Sequence, residues 1–247
     1  QKMSYLSTLT LSHFRSHKVA RLSADKRPVA IYGANGSGKT NILEAISLFS
    51  PGRGLRRASA EDMMRRPDNL GWKIEGIISA ESTENEVEIT STNGASRQVK
   101  VDGKPKAQTA LGQLVRVLWL VPAMDRLWIE GAEGRRRFLD RITLSFSPAH
   151  ADHSLKYEKA MRERNRLLKD KITDPHWYAA LEGHMAEAGV AIMSARRGAL
   201  DKIRAAQLGA KTAFPTAELS IAEMEKDLGE EVDAYCAALQ DKRSRDM

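Results

Sequence analysis

The run Gly33-Ala34-Asn35-Gly36-Ser37-Gly38-Lys39-Thr40 constrains this chain more than any other stretch. It fits the pattern G-x-x-x-x-G-K-[ST], a loop whose bare backbone amides cradle phosphate oxygens. Gly33, Gly36 and Gly38 let the backbone turn tightly and approach an anion closely. Lys39 suits the β- and γ-phosphates as a compact charge, and the Thr40 hydroxyl suits Mg²⁺. The helix opening there adds its positive N-terminal dipole. The flanks agree: Val29-Ala30-Ile31-Tyr32 reads as a buried strand, and Ile42, Leu43, Ala45, Ile46 and Phe49 recur at helical spacing. Strand, glycine turn and helix therefore predict an ATP site with Mg²⁺ at Thr40.

Other segments speak to architecture. Trp72–Ile78 and Glu86–Thr90 alternate apolar and polar residues, Asn93-Gly94 supplies a turn, and Gln98–Val101 alternates again before Asp102-Gly103. This predicts an antiparallel layer with one wet face. Arg116–Val121 lacks alternation and reads as a strand buried on both sides. Ser147-Pro148 and Asp174-Pro175 each offer a helix cap followed by proline at the first helical position. From the second, Tyr178, Leu181, Met185, Ala188, Ile192, Ala195, Ala199 and Ile203 step by three or four, predicting a long helix with a packed seam. A helix over about 150–171 should pack antiparallel against it. Ser220 and Glu223 form a capping box opening a last helix, with Met224, Leu228, Val232, Tyr235 and Leu239 on its inner face. Cys236, the single cysteine, reads as a packed thiol, and the six histidines show no metal-ligand spacing.

The loop gains company along the chain. Leu9, Leu11 and Phe14 lead into Phe14-Arg15-Ser16-His17. The helix runs Thr40-Asn41-Ile42-Leu43-Glu44-Ala45-Ile46 toward Gly52-Arg53-Gly54-Leu55-Arg56-Arg57. Pro122–Asp125, Gly134–Asp140, Tyr157–Ala160 and Arg162–Lys169 follow in order. Spanning roughly residues 9 to 200, this set resembles the RecF family, SMC-like ABC-type ATPases of bacterial recombinational repair. Ala123-Met124 departs from the family, which more often has an acidic residue before the position of Asp125.

The resemblance implies an α/β P-loop ATPase head of the ABC and SMC-like kind, with an antiparallel side sheet, plus an α-helical lobe. The expected divisions are 1–146 for the N-terminal part of the head, 147–210 for the helical lobe, and 211–247 for a return segment. It implies a weak ATPase in which ATP drives homodimerisation. The dimer would grip double-stranded DNA at single-strand gap junctions and, with RecR, promote RecA loading in repair and the SOS response. Arg15 and Asn41 are candidate further nucleotide contacts. No apolar run ends in Asp-Glu and no signature motif appears, so the chain reads as C-terminally truncated, with Met3 its natural start, and it is expected to bind nucleotide weakly at best and hydrolyse little.

Composition enters through charge. Over 247 residues the formal net charge is +7, which favours a polyanionic partner. Arg53, Arg56, Arg57, Arg65 and Arg66 follow the nucleotide helix and are the candidate DNA or partner contacts. Arg135, Arg136, Arg137 and Arg141 form a second group, weighed against local ion pairs to Glu133 and Asp140. Arg162, Arg164, Arg166, Lys169, Lys171, Arg196 and Arg197 add charge along the helical pair. Without a recognition-helix or zinc-finger signature, contacts should be backbone-dominated and salt-dependent. No run of about 18 apolar residues exists, so no membrane-spanning helix is expected, and one cysteine with no signal core fits the cytoplasm. The alternatives are a small-molecule P-loop kinase and a non-catalytic nucleic-acid adaptor.

Overall fold

A computed structural model of the chain describes residues 4–80, 82–129, 131–222 and 231–246. The chain divides into two compact units, residues 1–124 and 125–247.

The first unit is built on a six-stranded sheet: β1 (Ser4–Phe14), β2 (His17–Ser23), β3 (Trp72–Ala80), β4 (Thr83–Ser91), β5 (Gln98–Val101) and β6 (Lys104–Lys106). Its order is β2-β1-β3-β4-β5-β6, and every ladder is antiparallel. The alternation seen in the sequence becomes its two faces. Leu9, Leu11, Trp72, Ile74, Ile78, Val87, Ile89, Val99 and Val101 are buried on one side. On the other, Glu75 and Glu88 face each other across the ladder, a like-charge pairing that Lys73 bridges at 2.7 and 2.8 Å. Asp102 (φ 50°) and Gly103 (φ 73°) form the two-residue turn that adds β6, a strand the sequence reading stopped short of.

The helix α1 (Lys39–Ser47) lies on the apolar face, with Ala45, Leu48 and Phe49 in the same core. Gly76 in β3 makes this possible. A Cβ there would stand 2.6 Å from the Phe49 ring and 2.8 Å from Leu6 Cδ1. Phe14 and Trp72 meet edge-to-face at 5.5 Å, and the Trp72 indole donates to the Ala60 carbonyl at 2.8 Å. These contacts fix the turn after β1 and the start of α1 on one framework. A short helix, α2 (Leu111–Leu114), follows the sheet.

Two expected strands are absent. Val29–Tyr32 forms no ladder with any described residue, and Tyr32 is 92% exposed. Arg116–Val121 likewise forms no strand ladder with any described residue; Val117 and Trp119 are half-buried while Leu118 and Leu120 are exposed. Apolar composition supplies the tendency to form a strand, but a strand exists only beside a partner that takes its hydrogen bonds.

The second unit is helical: α3 (Ala132–Phe146), α4 (His150–Lys169), α5 (Pro175–Leu208) and α6 (Val232–Asp246). Asp174 caps α5 by accepting from the His176 amide at 2.9 Å, with Pro175 in the first turn. Ser147 does not cap α4. It terminates α3, its amide bonding to the Thr143 carbonyl at 2.8 Å, and α4 begins at His150. The α5 seam is core: Tyr178, Met185, Ala188, Ile192 and Ala199 are buried. Cys236 packs half-buried beside Ala160, Met185 and Tyr235. Ser220 lies in irregular chain; Glu223, Met224 and Leu228 of the expected last helix lie outside the described residues.

Asp140 of α3 joins three helices. Its carboxylate accepts from Arg196 of α5 at 2.8 and 3.0 Å and meets His150 of α4 at 2.9 Å. Burial alone would raise its pKa, but the bonds to His150 and Arg196 more than offset this and hold it below the usual carboxylate value. A carboxyl more acidic in the folded chain stabilises it above the unfolded pKa of about 3.9, and this is lost as pH falls through the folded value. The melting-temperature difference between the wild-type chain and Asp140→Asn should therefore shrink as pH drops below about 4. A difference that stays constant from neutral to acid pH would exclude this linkage.

Candidate functional site: the phosphate loop and its arginine border

The loop over 33–38 takes backbone angles that side chains disfavour. Gly36 has φ 82° and Gly38 φ 91°. At Gly38 the space is also claimed: a Cβ would stand 2.6 Å from His17 Nε2 and 2.8 Å from Ser16 Oγ. The β1–β2 turn, Arg15-Ser16, thus closes directly against the loop, and His17 Nε2 lies 3.2 Å from the Gly38 carbonyl. Lys39 Nζ donates to the carbonyls of Gly33 and Ala34, both at 2.7 Å, so its charge sits at the loop's mouth. Thr40 is exposed in the first turn of α1, and its hydroxyl bonds to no described residue. Asn35, Gly36 and Ser37 are exposed along the same loop. Free amides, a compact ammonium and an available hydroxyl at a helix N-terminus form a donor set for a polyphosphate and its counter-cation.

The sequence reading missed the residue that organises the surroundings. Glu44, on α1, is 0% exposed. It accepts from Arg15 Nε at 2.9 Å and Nη2 at 2.7 Å, and from Arg56 Nη1 at 3.0 Å. Arg15 Nη1 also donates to the Asp62 carbonyl at 2.6 Å. Asn41 ties the same pieces together: its amide donates to Ser16 Oγ and its carbonyl accepts from Arg56, each at 2.8 Å. One clue was present. Glu44 follows Asn41 by three and Thr40 by four, so it shares the helix face that borders the loop. A cleft of about 610 Å³ opens here, lined by Arg15, Ser16, Asn41, Arg56, Asp62 and Arg66.

The five arginines after α1 do not form one patch. Arg56 is tied to Glu44 and Asn41, and Arg65 bonds to Asp68 at 2.8 Å. Arg53, Arg57 and Arg66 are exposed. In the second unit the basic stripe is also partly internal. Arg164 is 4% exposed and bonds to Glu182, while Arg196 serves Asp140. Arg137 pairs with Glu133 on α3, whereas Asp140 turns to α4 and α5 rather than to its own helix's arginines. Arg162 and Arg166 make exposed pairs with Glu158 and Glu163. Asp125 is exposed in a 3₁₀ turn over Pro122–Arg126.

The family model for the RecF/RecN/SMC N terminal domain matches residues 5–122. The DNA replication and repair protein RecF of Rhizobium rhizogenes is 40% identical over 98% of this chain and 68% of its own length. The chain belongs to the RecF family. The RecF protein of Agrobacterium fabrum is 41% identical, with coverage of 98% of this chain and 67% of the relative. That of Rhizobium etli is 41% identical over 87% and 59%. The chain thus spans 59% to 68% of the length of these relatives. Two solved structures of the recombination mediator protein RecF in the RecFOR pathway share the fold. The RecF-ATPrS structure has a TM-score of 0.73 at 25% identity, over 83% of this chain and 56% of that one. The RecF-ATP structure has a TM-score of 0.71 at 26% identity, over 84% and 57%. The fold is accordingly an α/β ABC-type ATPase fold, and RecF membership sets aside the small-molecule kinase reading. Among the described residues no helix is long and apolar enough to cross a membrane.

Proposed function

We propose that this chain binds ATP in a RecF-type DNA replication and repair protein and couples the nucleotide to contact with DNA. The observation that carries the reading is the loop Gly33–Thr40, with Lys39 Nζ drawn over its mouth between two carbonyls. Bound Mg²⁺ would neutralise phosphate charge and would take the Thr40 hydroxyl. Lys39 would exchange its carbonyl partners for phosphate oxygens, and the α1 amides would face the same anion. Arg15 and Asn41 would border the nucleotide and report its presence to the arginine loop through Glu44 and Arg56. Residues 1–146 would serve as the N-terminal part of the head, 147–210 as the helical lobe, and 211–247 as the return segment. In the cytoplasm, ATP would pair two copies around double-stranded DNA at single-strand gaps, and RecR would join them to load RecA.

The test compares duplex binding by this chain with ATP, with ADP, and in Lys39→Ala, across a salt series. ATP should raise affinity over ADP, and Lys39→Ala should remove the difference. The salt slope should be steep, since contacts fall on phosphates. Binding that is equal in all three arms would instead mark a nucleotide-independent adaptor.

A further inference from the structure

Arg97 lies in the loop between β4 and β5 and is half-buried. Its Nη2 donates to the Gly52 carbonyl and, at 3.0 Å, to Gln108 Oε1. Both acceptors are neutral. Nε and Nη1 bond to no described residue, and no described Asp or Glu pairs with this guanidinium. Gly52 is followed directly by Arg53, which is exposed and also makes no bond to a described residue. The two cations are close enough to oppose one another: burial first, and then Arg53, lower the Arg97 pKa.

A guanidinium withdrawn from water ordinarily carries a carboxylate partner, because its desolvation is otherwise uncompensated. Arg15, Arg164 and Arg196 all follow that rule. Arg97 departs from it, and the like charge of Arg53 adds to the cost. Gly52 and Gln108 fix the orientation of its fork while leaving donors unused, an arrangement that favours bidentate capture of an oxyanion. We propose that Arg97 and Arg53 together grip one phosphate of a nucleic-acid backbone. An anion between them would relieve both the missing counter-charge and the mutual repulsion. The site is separate from the phosphate loop and rests on the DNA-binding reading above. A diester is favoured over an acidic protein segment because the chain carries net charge +7 and its relatives are DNA replication and repair proteins.

The experiment measures fluorescence anisotropy of a labelled duplex against the full chain, as wild type, Arg97→Gln, Arg53→Gln and the double variant, over a salt series. Losing one phosphate contact should flatten the slope of log affinity against log salt by about 0.9 and weaken binding roughly tenfold near 0.1 M salt. Because both forks share one phosphate, the double variant should lose no more slope than either single one. Arg53 is exposed, so Arg53→Gln reads the site even where Arg97→Gln disturbs its loop. Unchanged slopes alongside intact wild-type binding overturn the proposal and leave the DNA reading standing. Slope losses that add in the double variant overturn the shared site. A wild-type chain without duplex affinity overturns both readings. Two further probes, pyrophosphate on a Lys39→Ala background and a poly-glutamate peptide, check the source. A loss on Arg97→Gln confined to either probe, with duplex binding untouched, overturns the nucleic-acid assignment.

Discussion

Replacing Lys39 by alanine is expected to weaken ATP binding to this chain by about 3 kcal/mol, which is on the order of a hundredfold or more. The lysine carries the compact positive charge at the loop's mouth, where Nζ is 2.7 Å from two carbonyl oxygens. Those carbonyls hold the ammonium at the loop, and it exchanges them for charged phosphate oxygens when a nucleotide arrives. Each hydrogen bond from a cation to a charged oxygen contributes about 1.5 to 3 kcal/mol, and two suffice for the expected loss. Lys39→Arg should recover little of it, because a planar five-donor fork cannot take the place of a compact ammonium between those oxygens. Titration calorimetry with ATP reads the effect directly. An alanine variant within about threefold of wild type, a difference below 1 kcal/mol, would remove Lys39 from the binding site.

The second large effect concerns stability. Glu182 on α5 is 0% exposed and accepts from Arg164 of α4 at 3.0 Å and from Arg243 of α6 at 3.1 Å. Arg164 also donates to the Leu239 carbonyl at 3.1 Å, and the Arg243 guanidinium lies 4.5 Å from the Tyr178 ring centre. Three helices thus converge on one carboxylate. Glu182→Ala removes the buried carboxylate that Arg164 and Arg243 share, and breaking a buried ion pair in this way costs about 3 to 5 kcal/mol. Arg243 is less confined, with 22% of its side chain exposed, and can turn toward water. Urea denaturation should show the loss as a lower midpoint at unchanged slope. Replacing Glu182, Arg164 and Arg243 together by apolar residues of similar volume should recover most of it, because the desolvation penalty leaves with the charges. A loss below 1 kcal/mol for Glu182→Ala would show that Arg164 finds water without it.

These two sites differ in how visible they were beforehand. Lys39 stands in a motif whose demands are met within eight residues. The same locality made other elements readable. Asn93 (φ 50°) and Gly94 (φ 75°) take the angles their turn requires, Asp174 caps the helix that Pro175 begins, and the alternation in β3 and β4 matches their buried faces. Val29–Tyr32 and Arg116–Val121 misled because their apolar character says nothing about which chain, if any, lies alongside. Ser147 misled because a serine before proline suits a helix end as well as a helix start.

Glu182, like Glu44, was passed over for another reason. A charged residue on an amphipathic helix is ordinarily a solvated one, and only the helix's neighbours decide otherwise. The partners here lie far off in sequence: Arg15 is 29 positions from Glu44, and Arg243 is 61 from Glu182. The sequence by itself determined the phosphate loop, the turns and the helix seam, because short-range backbone geometry and periodicity dictate them. Only the tertiary structure decided which arginines are neutralised and which, like Arg53 and Arg97, have no carboxylate partner among the described residues. Charge compensation depends on distances in space, and folding alone sets those.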